Sequence, residues 1–140
     1  MVKVVYPSAR NAAWKAANIP VDTDTIKLLL LDVDYTYNAA HDFLDDIPAA
    51  ARIGTAQTIA NKTFGTVAAG VFDGDDVTVP SVASGDTVVA YVIYNDTPAT
   101  EATKQLIAFV NEKADGSAIS IATNGGNIGV TFSASGIAVL

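Results

Sequence analysis

The run Thr87-Val-Val-Ala-Tyr-Val-Ile-Tyr94 decides how this chain folds. It has the length of a strand rather than a helix, and nearly every residue in it is β-branched or aromatic. Successive strand residues point to opposite faces. Here both faces are apolar, so both need a cover, and the run is predicted to be the central strand of a sheet.

Upstream, Thr25-Ile-Lys-Leu-Leu-Leu-Leu31 turns apolar on both faces towards its end and is also predicted to be central. Val2 to Tyr6 is a short strand stopped by Pro7. Downstream, short β-favouring runs cover residues 51–60, 63–68, 77–79, 105–111, 118–121, 128–132 and 137–140. Turn residues separate them, among them Asp73-Gly74, Asp115-Gly116 and Asn124 to Gly126. Two helices are predicted. Ser8 would cap one over Ala9 to Ala17, ended by Ile19-Pro20. Asn38 would cap the other, to Ile47, with Ala40, Phe43, Leu44 and Ile47 on one buried stripe. The expected fold is mainly β: a single-domain antiparallel β-sandwich or barrel over residues 1–140, with one or two short helices in the N-terminal third. Phe43 and Ile93 are expected in its core.

The bulk composition removes several function classes. Eight Lys and Arg stand against fifteen Asp and Glu, a net charge of −7. An acidic surface without a basic cluster repels phosphates, so nucleic acid is not an expected partner. The longest strongly apolar run, Leu28 to Leu31, is far short of the ~20 residues of a membrane-spanning helix. The N-terminus lacks the apolar stretch of a signal peptide. With no cysteine, thiol catalysis and thiolate metal sites are ruled out.

Three constellations remain for chemistry. The only histidine, His41, would have to serve any catalytic triad, yet no nucleophile-elbow pattern accompanies it. It reads as a helix-surface or boundary histidine, hydrogen-bonded to a carboxylate. Carboxylates pair at Asp22/Asp24, Asp32/Asp34 and Asp45/Asp46, but no aromatic platform accompanies any pair, as glycosidase chemistry would require. The stretch Phe72-Asp-Gly-Asp-Asp-Val-Thr-Val79 places Asp73, Asp75 and Asp76 around one glycine, an oxygen-rich spacing that hard cations accept. These three are weak metal candidates. The calcium-loop register fails, and Asp73-Gly74 between two β runs also fits a hairpin turn with glycine at positive φ. Asn124-Gly-Gly-Asn127 lacks the Lys-Ser/Thr of a phosphate loop and reads as another hairpin turn. No enzyme activity and no cofactor are expected.

An ordered series of segments carries a family resemblance. It comprises "VDTDTIKLLLLDVDYTYNAAHDFLDDIPAAARIGT" (Val21 to Thr55), "IANKTF" (Ile59 to Phe64) and "GVFDGDDVTV" (Gly70 to Val79). "VVAYVIYNDTPATEATKQLIAFV" (Val88 to Val110) and the closing "NGGNIGVTFSASGIAVL" (Asn124 to Leu140) follow. Together they resemble the small virion structural proteins of tailed bacteriophages. The resemblance implies a structural role without catalysis and a β-hairpin over Val88 to Val110. Within that class the favoured reading is a capsid cement, or decoration, protein. It would be made in the host cytoplasm and bind the major capsid protein on the capsid surface. A small homo-oligomer is expected, with a trimer over a local three-fold point compatible with closed symmetry. A tail or neck component and a carbohydrate-binding adhesion module are the alternatives. The apolar end, with Ile137, Val139 and Leu140, is the candidate interface, unless it closes the domain's own sheet.

Overall fold

A computed structural model describes residues 3–9, 23–64 and 70–139. Twelve strands are present among them. In chain order they are β1 (Lys3–Val5), β2 (Ile26–Leu31), β3 (Arg52–Thr58), β4 (Thr63–Phe64), β5 (Val71–Asp73) and β6 (Val77–Val79). They continue with β7 (Thr87–Val88), β8 (Ala90–Asn95), β9 (Leu106–Val110), β10 (Ile121–Ala122), β11 (Ile128–Val130) and β12 (Ala138–Val139). Five form the main sheet, in the order β1-β9-β8-β2-β3, every neighbouring pair antiparallel. The other ladders are small: β12-β5-β4, β11-β6 and β10-β7. The expected β-rich antiparallel class is the one observed.

The centre of the main sheet is β8, and all six of its residues are buried. Its apolar faces explain the position. On one face Val92 lies between Leu29 of β2 and Phe109 of β9. Tyr35 and Tyr37, from the loop after β2, pack on Phe109 at ring-centroid distances of 5.9 and 5.6 Å. On the other face Ile93 lies between Leu28 and Ala108, and Tyr91 meets the edge of Phe132 at 6.2 Å. β2 is also interior, with β8 and β3 on its two sides. β8 and β9 form an antiparallel hairpin within Val88 to Val110.

The run that reads as one strand from Thr87 to Tyr94 is in fact two. Val89 donates its N–H to Leu31 O (2.9 Å) and belongs to no ladder. Before it, Thr87–Val88 pair with β10; after it, Ala90 begins pairing with β2. Periodicity reports burial but not partner, and the backbone changes sheets here without losing its apolar sides.

The helix expected over Asn38 to Ile47 does not form. Asn38 Oδ1 accepts Ala40 N–H at 2.9 Å, which closes a local turn. Phe43 bridges to Gln105 in extended conformation, and only Leu44–Asp46 form a single 3-10 turn. Asp46 Oδ2 takes the N–H groups of Asp42 (2.9 Å) and Phe43 (3.2 Å), so the side chain replaces helical acceptors. Leu44 and Ile47 are nevertheless buried as the stripe required, whereas Ala40 is exposed and Phe43 is only half-buried, outside the core. Near the N-terminus residues 7–9 are α-helical, so Pro7 rather than Ser8 opens that turn. Ser8 instead accepts Gln105 Nε2 at 2.9 Å. The rest of the expected helix, with Trp14, and the end of the 63–68 run lie outside the described residues.

Polar groups tie strand ends of the main sheet together. Asp96, just after β8, bonds Lys27 of β2 at 2.8 Å and Lys104, before β9, at 2.7 Å. Burial opposes the charge on Asp96, but the two ammonium groups outweigh it and hold its carboxyl below the ordinary range. Arg52 pairs with Glu101 through both terminal nitrogens, at 2.7 and 3.0 Å. It also donates to Leu44 O and Ile47 O, tying the 3-10 turn to β3.

Candidate functional site

The acidic stretch is a connector between two ladders. β5 belongs to β12-β5-β4 and β6 pairs with β11, so Gly74 to Asp76 carry the chain across and the expected hairpin is absent. Gly74 does not sit at positive φ. It is required for another reason: a Cβ there would stand 2.5 Å from Ile59 Cγ2 and 3.2 Å from Ala60 O. Asp75 N–H donates to Ala60 O (3.0 Å), which holds the two segments together.

Each aspartate of the stretch has its own place. Asp73 ends β5 opposite Thr63. Asp75 Oδ2 accepts Asn61 Nδ2 at 2.6 Å, and Asp76 Oδ1 accepts the Phe132 N–H at 2.8 Å. Among the described residues, no three His, Asp or Glu side chains are placed to hold a metal ion. The stretch thus acts as a set of backbone anchors. Gly74→Ala is expected to destabilise the protein by about 1–3 kcal/mol, since Ile59 is fully buried and cannot yield freely. An unchanged melting temperature in a thermal scan would contradict the close approach.

His41 lies half-buried at the end of a hydroxyl chain. Its Nδ1 is 3.0 Å from Tyr35 Oη, which is 2.8 Å from Tyr6 Oη. Burial pushes both phenols above their usual range, and the effect on Tyr6 is reinforced by Tyr35. The nearby Asp46 carboxyl is disfavoured by burial, yet the Asp42 and Phe43 N–H groups prevail and keep it below the ordinary range. Among the described residues no serine hydrogen-bonds the His41 ring, whose side-chain partner is the Tyr35 phenol in place of the expected carboxylate. Of the carboxylate pairs, Asp32 caps its own turn by accepting Asp34 N–H at 2.8 Å, while Asp22 lies outside the described residues.

The Asn124 to Asn127 stretch is likewise no hairpin turn. β10 pairs with β7 and β11 with β6, so it links two ladders. Gly125 N–H and Gly126 O bond both sides of Val82, at 2.8 and 2.9 Å.

The candidate interface at the C-terminus is taken apart by the fold. Ile137 is 2% exposed, and its N–H donates to Phe72 O at 2.7 Å. It is a core residue and corrects the expectation of an exposed contact. Ala138 and Val139 pair with Phe72 and Val71 of β5, so the last strand closes the domain's own sheet. Leu140 lies outside the described residues.

Sequence reasoning missed a groove. An apolar hollow of about 280 Å³ lies beside β11. Its floor comprises Leu30, Val88, Tyr91, Ile119 and Ile121. Glu112 to Asp115, at the tip of the hairpin bridged by Glu112 and Ala118, form one wall. Gly129, Val130 and Thr131 form the other. A second hollow of about 210 Å³ shares Tyr91, Ala114 and Thr131 and continues to Phe132 and Ile137. The only signal in the sequence was Gly129, a glycine inside a strand.

Comparison with known proteins returns no matching family, no matching curated protein and no matching solved structure.

Proposed function

We propose that this chain is a structural protein of a tailed-phage virion. More specifically, we infer a capsid cement protein that docks on the outside of the head and stabilises the shell of major capsid protein. The observation that carries this reading is the ordered series of resembling segments from Val21 to Leu140.

The physical build supports it. A cement protein needs a rigid body; the central strands β8 and β9 are buried on both faces, and ion pairs of Asp96 and Arg52 tie the main sheet to its connections. It also needs free subunits that stay apart until they dock, and a charge of −7 provides mutual repulsion. Weak contacts repeated over a symmetric shell gain from effective concentration, so each docking surface can be small.

The test is to add the purified chain to expanded heads that lack it. Saturable binding, with a higher head-disruption temperature, is expected. Retention on isolated tails with none on heads would assign the chain to the tail or neck. Failure on both, with binding on a glycan array, would favour the adhesion module.

A further inference from the structure

We propose that the groove beside β11 receives an extended peptide segment of the shell protein, which adds a strand to the free edge of β11 and seats alternate apolar side chains on the floor below. The inference rests on the capsid reading and deepens it by naming the docking surface and the form of the partner.

The backbone of β11 makes the first argument. Among the described residues β11 pairs with β6 on one side and with no strand on the other. Residues 128–131 make no other backbone–backbone hydrogen bond among the described residues. In an antiparallel pair, alternate residues direct N–H and C=O away from the partner, so this edge carries unmatched groups. Such an edge is a template for an incoming strand.

The groove lies against that edge. Consecutive strand residues alternate between faces, yet Gly129 and Val130 of β11, with Thr131 just beyond it, all line one hollow. A hollow touched by three residues in a row abuts the edge of a strand rather than one face. Gly129 leaves the middle of the edge bare: a Cβ there would meet nothing within 4 Å. Glycine in a strand often marks the close approach of another backbone.

Shape and charge select the occupant. The two hollows share Tyr91, Glu112, Lys113, Ala114 and Thr131 and together reach residues from Ile121 to Ile137, which suits an extended chain better than a compact ligand. The floor is apolar, while Glu112 and Asp115 flank Lys113 on the wall. The favoured segment therefore alternates apolar residues with a Lys or Arg beside them. A second copy of this chain fits poorly, since each copy carries −7 and its last strand is already paired with β5.

The test uses the full chain and ten-residue peptides tiling the major capsid protein of the same particle. Ala114→Trp places a bulky ring at an exposed position shared by both hollows. Gly129→Phe adds a ring where there is open space and no positive φ. Both variants are expected to keep the wild-type melting temperature. At least one peptide should bind the wild type and slow amide exchange at residues 128–131, with binding weakened tenfold or more by either folded variant. If no peptide protects those amides, or if both variants bind as the wild type does, the inference is overturned. Wild-type head binding by both folded variants would overturn the groove and leave the capsid reading standing. Loss of head binding by the wild type itself would overturn the capsid reading. Self-association that depends on Ala114 and Gly129, seen by sedimentation in place of peptide binding, would replace the shell protein with a sister subunit and overturn the inference.

Discussion

Raising the pH from 10 to 12 is expected to unfold this protein. Burial raises the phenol of Tyr91, and burial with the Tyr35 hydrogen bond raises that of Tyr6, both beyond the ordinary tyrosine range. A folded-state pKa above the unfolded value favours the native state fully below the unfolded pKa, about 10. That advantage is lost as pH rises towards the folded pKa, because the unfolded chain ionises first. Each such tyrosine costs about 1.4 kcal/mol per pH unit, so these two remove about 5 kcal/mol by pH 12. Tyr35 is raised as well, and Tyr94 is pushed up to about 12 by burial with Asp96 nearby, so both act in the same direction. The total approaches the whole stability of a small domain. Tyrosinate absorbance and far-ultraviolet dichroism, followed together, should change in one cooperative step. Tyrosines that all ionise near pH 10 with the sheet intact would refute the buried placement of Tyr6 and Tyr91.

Truncating Ile93 to alanine is expected to cost about 2–5 kcal/mol. Ile93 is fully buried in the central strand, flanked in register by Leu28 and Ala108. Ala108 is too small to fill the space, and the paired backbones of β2, β8 and β9 cannot close over it. Val33→Ala makes the control, because Val33 is 73% exposed and its loss should stay within about 0.5 kcal/mol. Equal melting temperatures for the two variants would contradict the register of the main sheet. The same contrast clarifies Phe43, which helical spacing had placed in the core. It is half-buried in a bridge to Gln105, so its truncation should cost less than that of Ile93.

The legible part of the fold was the part that local chemistry controls. Alternation and β-branched content located β2, β6 and β9 to within a residue, because apolar side chains mark the buried faces; the run containing β8 reads as starting three residues too early, at Thr87. Turn residues located most breaks between strands. The helical stripe at Leu44 and Ile47 reported their burial correctly and the backbone wrongly. A buried i, i+3 pair fits a 3-10 turn as well, and the competing Asp46 carboxylate gives no periodic signal.

By itself, then, the sequence determined a β-rich antiparallel protein, acidic overall, with the Ala90 to Tyr94 part of its most apolar run in the central strand. Only the tertiary structure decided which strand meets which: the change of ladder at Val89, the crossing at Gly74, the home pairing of the last strand, and the pairing of β11 with β6. Burial preference is carried by each side chain and its near neighbours, so it is readable along the chain. Pairing is carried by backbone groups common to every residue, and its partners lie far away in sequence. The aspartates around Gly74 show the difference. Their spacing suggested a cation, but Ile59, Asn61 and Phe132 had to arrive before they became anchors for a crossing between two ladders.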